Sequence, residues 1–138
     1  MPSFSRISLA RLNTCHADLQ ILFAEVVKDY DCTIVDGHRG EDKQNQYFDE
    51  GKSEVRYPDS KHNCIPSEAV DAAPYEAYGI DWGEKQLIHF SGYVLGKADQ
   101  LYRNGIMKHK IRSGIDWNRD YDIDDTNFKD TPHFEIIK

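Results

Sequence analysis

Ser60-Lys61-His62-Asn63-Cys64-Ile65-Pro66-Ser67-Glu68-Ala69-Val70-Asp71-Ala72-Ala73-Pro74 carries a polar loop into a short apolar run with one acid at its centre. Ala69–Ala73 has the length of a buried strand, with Pro74 read as its stop. In a strand, Ala69, Asp71 and Ala73 share one face, and Val70 and Ala72 share the other. A carboxylate among apolar neighbours is costly unless it is paired or holds a metal. On this stretch alone, Asp71 reads equally well as a cap on a neighbouring loop, and His62 as a surface histidine.

The C-terminus shifts that balance. Asp130-Thr131-Pro132-His133-Phe134-Glu135-Ile136-Ile137 sets an acid three residues ahead of a histidine that opens an apolar strand. Residues three apart in a strand face opposite ways. Asp130 and His133 can share a site only if the chain bends between them, and Pro132, with its fixed φ, supports such a bend. Two histidines and one carboxylate leave a fourth tetrahedral position for water, the arrangement of a catalytic zinc site. Such a metal lowers the pKa of its water and polarises a carbonyl, while a neighbouring carboxylate moves the proton. Zinc is the ion that best suits this donor set.

Outward from these two stretches, Leu9, Leu12, Leu19, Leu22, Phe23 and Val26 form the apolar stripe of an amphipathic helix, with Ser8 as its N-cap. Cys32–Val35 reads as a buried strand ended by Asp36-Gly37, and Glu41 to Gly51 as a helix. Residues 52–68 read as a long loop, a length that usually marks function or disorder. A longer helix is expected from Glu84 to Arg103, with Leu87, Val94, Leu95, Ala98, Leu101 and Tyr102 inward and Gly105 as its stop. Ile111–Ile115 and His133–Ile137 are closing strands around an Asp-rich loop. The pattern is α+β: a small antiparallel sheet with flanking helices.

The 138 residues fit a single domain, and the net charge of −7 argues against nucleic acid or an anionic membrane as the partner. No apolar run is long enough to span a bilayer, and no signal-peptide core follows the N-terminus. Cys15, Cys32 and Cys64 are an odd count without paired spacing, which fits reduced thiols.

Ser-Lys-His-Asn…Pro-Ser-x-Ala-Val-Asp-x-x-Pro-Tyr and the final Asp-x-Pro-His-Phe-Glu resemble the D-Ala-D-Ala carboxypeptidase family of zinc peptidases. The nearest branch is the phage endolysins that act as L-alanyl-D-glutamate endopeptidases. The resemblance runs from about Thr33 to Ile136 and includes Gly37-His38-Arg39 and Gly114-Ile115-Asp116-Trp117. It implies a hedgehog/DD-peptidase-like fold, one catalytic zinc on His62, Asp71 and His133, and Asp130 as acid/base. It also implies an arginine that binds an oxyanion or carboxylate, matched by Arg39, whose bland reading is a surface ion pair with Asp36 or Glu41. The His-to-Asp gap of nine residues is longer than the family's commoner form, with the extra length near Cys64. Cys64 is the lesser candidate for a ligand, because a thiolate there would leave Asp71 buried without a partner.

Ser60 and Glu135 are expected to orient ligands, and Asp116 and Trp117 to line the cleft, with core packing the stronger reading for Trp117. His16, His38, His89 and His109 are read as surface or packing residues. Asp120, Asp122 and Asp124 repeat as at the start of an EF-hand. Position six is Asp125 rather than Gly, and position twelve is Thr131 rather than Glu. A solvated loop is therefore expected over Asp116–Asp130, with a weak second divalent cation as the lesser reading. The implied function is hydrolysis of the peptidoglycan stem peptide by a monomeric, single catalytic domain (1–138) without a wall-binding domain. The implied location is the host cytoplasm until a holin opens the way to the periplasm and cell wall. The rivals are a D,D-carboxypeptidase or D-Ala-D-Ala dipeptidase on the same site, and a catalytically silent wall-binding or structural phage module.

Overall fold

The computed structural model describes residues 2–125 and 130–138. Helices α1 (Arg6–Leu12) and α2 (Ala17–Asp29) lead into β1 (Cys32–Asp36) and α3 (Glu41–Asp49). After a long loop with one 3₁₀ turn, Lys61–Asn63, come β2 (Ala69–Glu76), β3 (Gly79–Ile80), α4 (Glu84–Arg103), β4 (Lys110–Gly114) and β5 (Asp130–Ile137). The main sheet has the order β1-β2-β5-β4, and β3 pairs with the far end of β2. All pairings are antiparallel, so the α+β expectation holds.

Strand alternation divides the chemistry. Ile34, Val70, Ala72, Phe134 and Ile136 face α2 and α4, where Leu19, Phe23, Val26, Phe90, Val94 and Ala98 close the core. Phe134 meets Phe23 and Phe90 edge-on, at centroid distances of 5.6 and 6.1 Å. The opposite face carries a polar row. Asp71 pairs with His133, and Asp36, two residues after the core-facing Ile34, comes opposite Asp71 through a register shift between Ile34 and Asp36, so the row runs across three strands. One register further, Glu135 stands opposite Arg112. One face of the sheet thus makes the core and the other makes the site.

Several expectations need correction. The first amphipathic stripe is two helices, because Cys15 bridges to Ser67 and the His16 N–H donates to the Ser67 carbonyl at 2.8 Å. Ser5 rather than Ser8 caps α1; the Ser8 hydroxyl accepts from the Ile34 N–H at 3.0 Å and ties the helix to β1. Pro74 does not stop β2. The Tyr75 N–H turns to the Asp31 carbonyl beside β1, so the proline nitrogen faces the side where pairing with β5 has ended. Tyr102 is exposed, and Phe90 takes the inward place on α4. The last strand begins at Asp130, earlier than expected. All three cysteines are free; Cys15 and Cys32 are buried, and burial pushes both thiols up to about 12.

Candidate metal centre

Each cluster residue is presented by a different local device. His62 sits in the 3₁₀ turn capped by Ser60, whose hydroxyl accepts the His62 N–H at 3.1 Å. Asp71 and His133 are lateral neighbours in the sheet. Asp130 reaches the same place through a register shift between Ser113 and Gly114 that pairs Gly114 with Asp130. The bend anticipated around Pro132 is therefore present. Gly114 is required there, since a Cβ would overlap the Asp130 carbonyl oxygen. Gly37 is equally constrained: a Cβ would strike the Arg11 carbonyl and the Thr14 hydroxyl, and the Gly37 carbonyl itself receives the His62 ring.

The hydrogen bonds set the tautomers. His62 Nδ1 lies 2.8 Å from the Gly37 carbonyl, an acceptor only, so Nδ1 carries the proton and Nε2 presents its lone pair. His133 Nε2 lies 2.8 Å from Glu135 Oε1, so Nε2 carries the proton and Nδ1 turns inward. His62 Nε2 is 3.2 Å from both His133 Nδ1 and Asp71 Oδ1, and His133 Nδ1 is 3.3 Å from Asp71 Oδ1. Three lone pairs converge without a donor among them, and only a cation or an added proton can satisfy that set. The donor set fits a borderline-soft divalent ion with tetrahedral preference.

Electrostatics agree with this arrangement. Burial opposes the Asp71 charge, yet His62 and His133 hold its carboxyl well below the usual carboxylate range. Burial also lowers His133, but Asp71 and Glu135 override it and raise the imidazole to about 9. Asp130 goes the other way: burial and the neighbouring Asp71 charge lift it to about 6. It stands 3.7 Å from His133 Nδ1, beside the cluster rather than within it.

Arg39 is neither a surface ion pair nor a free fork. It is buried, its Nε donates to Asp36 Oδ2 at 2.9 Å, and its Nη2 reaches Asp71 Oδ2 at 3.3 Å. The oxygen anion it meets is thus the ligand candidate's own second oxygen. Gln44, fully buried, accepts from Arg39 Nη1 at 3.0 Å and donates to the Val55 carbonyl at 2.7 Å, which fastens one wall of the cleft. Trp117 is half-buried in the opposite wall, 5.3 Å from the His133 ring, not in the core. The cleft holds about 360 Å³, and Asp130 and Lys61 also line it.

Asp116 does not line this cleft; it accepts the Tyr121 N–H at 2.9 Å and shapes its own loop. In that loop Asp120 and Asp122 accept the N–H groups of Asp122 and Asp124. The side chain of Asp125 and residues 126–129, on which the EF-hand comparison also depends, lie outside the described residues. Cys64 is not among the cluster's ligand atoms. His16 and His109 have a carboxylate between them, Asp18. Asp18 Oδ2 takes His109 Nδ1 at 2.8 Å and the Lys108 and His109 N–H groups, while His16 Nδ1 caps α2 through the Asp18 N–H. Those polar atoms already serve structure. Sequence reasoning missed Gln44, Lys61 and Arg112; it named Asp36 as an ion-pair partner of Arg39, and the pair is present but buried rather than on the surface.

Residues 2–137 match the family described as phage L-alanyl-D-glutamate peptidase. The L-alanyl-D-glutamate peptidase of Escherichia phage T5 is 32% identical, with 97% of each chain covered. The solved structure of the Serratia marcescens L-Ala D-Glu endopeptidase ChiX is similar in fold, with a TM-score of 0.72 at 19% identity, covering 99% of this chain and 91% of that one.

Proposed function

The chain belongs to the phage L-alanyl-D-glutamate peptidase family, and from that membership we propose that it hydrolyses the L-alanyl–D-glutamate amide of the peptidoglycan stem peptide. His62 Nε2, Asp71 and His133 Nδ1 would hold one zinc ion. The observation that carries the reading is the convergence of three lone pairs within 3.3 Å of one another, with the raised carboxyl of Asp130 alongside. A zinc ion bound there supplies Lewis-acid polarisation of the scissile carbonyl and a lowered pKa for water.

The chain's own groups do the rest. Asp130 accepts the proton of the attacking water as its oxygen bonds to the alanyl carbonyl carbon. It then returns that proton to the D-glutamate nitrogen as the C–N bond breaks. In the metal-free chain burial and the Asp71 charge raise that carboxyl to about 6, which moves it toward the range suited to a group that both takes and returns a proton. Arg39, anchored by Asp36, fixes the plane and charge of Asp71; Glu135 fixes the His133 ring, Ser60 the His62 backbone, and Trp117 walls the cleft.

Residues 1–138 are read as one monomeric catalytic domain, acting on the wall after storage in the host cytoplasm and release by a holin. No helix among the described residues is long and apolar enough to cross a membrane. A weak divalent cation in the 116–130 loop is a separate reading; unchanged calcium affinity in Asp120→Asn with Asp122→Asn removes it.

The deciding experiment is digestion of Gram-negative sacculi with and without a chelator, with fragments identified by mass spectrometry. New D-glutamate amino termini that vanish with chelator and return with zinc are the expected result. Free D-alanine or its dipeptide would move the assignment to a carboxypeptidase or dipeptidase. No metal-dependent release would favour a silent wall-binding module.

A further inference from the structure

We propose that Arg112 is a positioning residue for the metal centre, acting on His133 through both Glu135 and Trp117. The proposal rests on the zinc reading above and adds to it a residue from the edge strand. Arg112 of β4 stands opposite Glu135 of β5. Its Nη2 donates to Glu135 Oε2 at 2.6 Å, while the other oxygen of that carboxylate takes His133 Nε2 at 2.8 Å. Its Nη1 donates to the Trp117 carbonyl at 3.4 Å, and its guanidinium lies 5.7 Å from the Trp117 ring, which itself packs against His133. One planar cation therefore holds both groups that bear on the outer side of the imidazole.

The geometry matters because an imidazole can turn only one nitrogen to a metal, and the partner of the other nitrogen decides which. Glu135 fills that role only if its carboxylate keeps one orientation. A guanidinium fork fixes two directions at once, toward Glu135 and toward Trp117; an ammonium fixes neither as firmly. Lys61 also approaches Glu135, at 3.4 Å, but its Nζ donates to the Ile136 carbonyl as well. Arg112 also accepts a cost in its placement. Its Nε is, among the described residues, the one buried side-chain polar atom without a hydrogen-bond partner. Buried donors are rarely left so without reason. The placement satisfies Glu135 and Trp117 at the expense of Arg112 itself.

The competing role is a plain cross-strand ion pair, which would affect only folding stability. The test uses the full chain as Arg112→Met, Arg112→Lys and Glu135→Gln, and the double variant Arg112→Met with Glu135→Gln. Zinc affinity is read by chelator competition and ligand geometry by the visible spectrum of the cobalt-substituted protein. Expected for Arg112→Met is zinc binding weakened by about 10- to 100-fold with an altered cobalt spectrum, and only partial recovery in Arg112→Lys. The double variant should lose little more than the worse single one, since both act on His133 along one path. Parental zinc affinity and cobalt spectrum in Arg112→Met, or in Arg112→Lys should Arg112→Met fail to fold, overturn the proposal. A parent chain that binds neither zinc nor cobalt stoichiometrically overturns the zinc reading itself, which separates the two failures.

Discussion

The Asp130 carboxylate stands 3.7 Å from His133 Nδ1, although the two residues lie three apart on one strand. The register shift opposite Gly114 folds Asp130 back onto the face that His133 already occupies. Asp130 thereby joins Asp71 in a largely buried place, and burial first, then the Asp71 charge, raises its carboxyl to about 6.

Asp130→Asn should lower turnover by about 10²- to 10⁴-fold while zinc remains bound. In the metal-free protein the same variant should be the more stable one at neutral pH. A carboxyl whose folded pKa lies above its unfolded value of 3.8 binds its proton more tightly in the folded state. The stability it adds is present at low pH and lost as pH rises through about 6. Asparagine removes that loss, so melting curves of parent and variant should separate at pH 8, lie closer at pH 5 and converge only below about 3.8. Turnover like the parent's, or no separation at pH 8, would contradict the role and environment assigned to Asp130.

Gly114→Ala tests the bend itself. The added methyl meets backbone, the Asp130 carbonyl, and no flexible side chain can yield. Overpacking of this kind typically costs about 1–3 kcal/mol, and here relief must come from moving Asp130. The variant should retain zinc and a cooperative melt at lower temperature, yet lose most of its kcat. Activity that falls no faster than the folded fraction would mean the register shift is incidental to catalysis.

Asp71, Asp130 and His133 were legible as a candidate cluster because each breaks a rule of local patterning, whereas His62 alone reads as a surface histidine and was assigned as a ligand only with the family resemblance. Asp71 interrupts an apolar strand, and the Asp130–His133 spacing cannot share a regular strand face. The inward and outward faces of β2 and β5 followed from alternation alone. Arg112 was not legible. A polar residue on a short strand is ordinary, and Arg112 acquires meaning only when strand pairing sets it opposite Glu135. The break between α1 and α2 was hidden for a similar reason. Its apolar spacing continues through the break, and what divides it is the pairing of Cys15 with Ser67 from a distant loop.

His133 supplies a prediction about metal uptake. Burial disfavours its charge, but Asp71 and Glu135 raise it to about 9, so the metal-free protein carries an added proton there at neutral pH. Zinc needs the Nδ1 lone pair, so binding at pH 7 should release about one proton. Calorimetric titrations in two buffers of different ionisation enthalpy should give apparent enthalpies that differ accordingly. The sign also sets the stability of the metal-free chain. The contribution of His133 is full below its ordinary value of 6.5 and declines as pH rises through about 9. Buffer-independent enthalpies would rule out a protonated His133 in the metal-free state.

Arg39 decides between two ways an arginine can serve this cleft. As an oxyanion binder it would act on substrate, and its loss would appear in kinetics with folding intact. The geometry argues for action on Asp71 instead, because Arg39 is buried between two carboxylates, Asp36 at 2.9 Å and Asp71 at 3.3 Å. Arg39→Met leaves Asp36 with Lys43 and Asp71 with His62 and His133; breaking a buried pair from one side costs about 3–5 kcal/mol, and these remaining partners should keep the loss near the lower end. A bound divalent ion offers Asp71 a second countercharge, so zinc should return part of the lost melting temperature in Arg39→Met, beyond the shift it gives the parent. Arg39→Lys restores the charge without the fork that spans Asp36, Asp71 and Gln44, and should recover less than half of the loss. If the melting loss is small and unaffected by zinc while KM rises, Arg39 reads the substrate directly and Asp71 is held by the sheet alone.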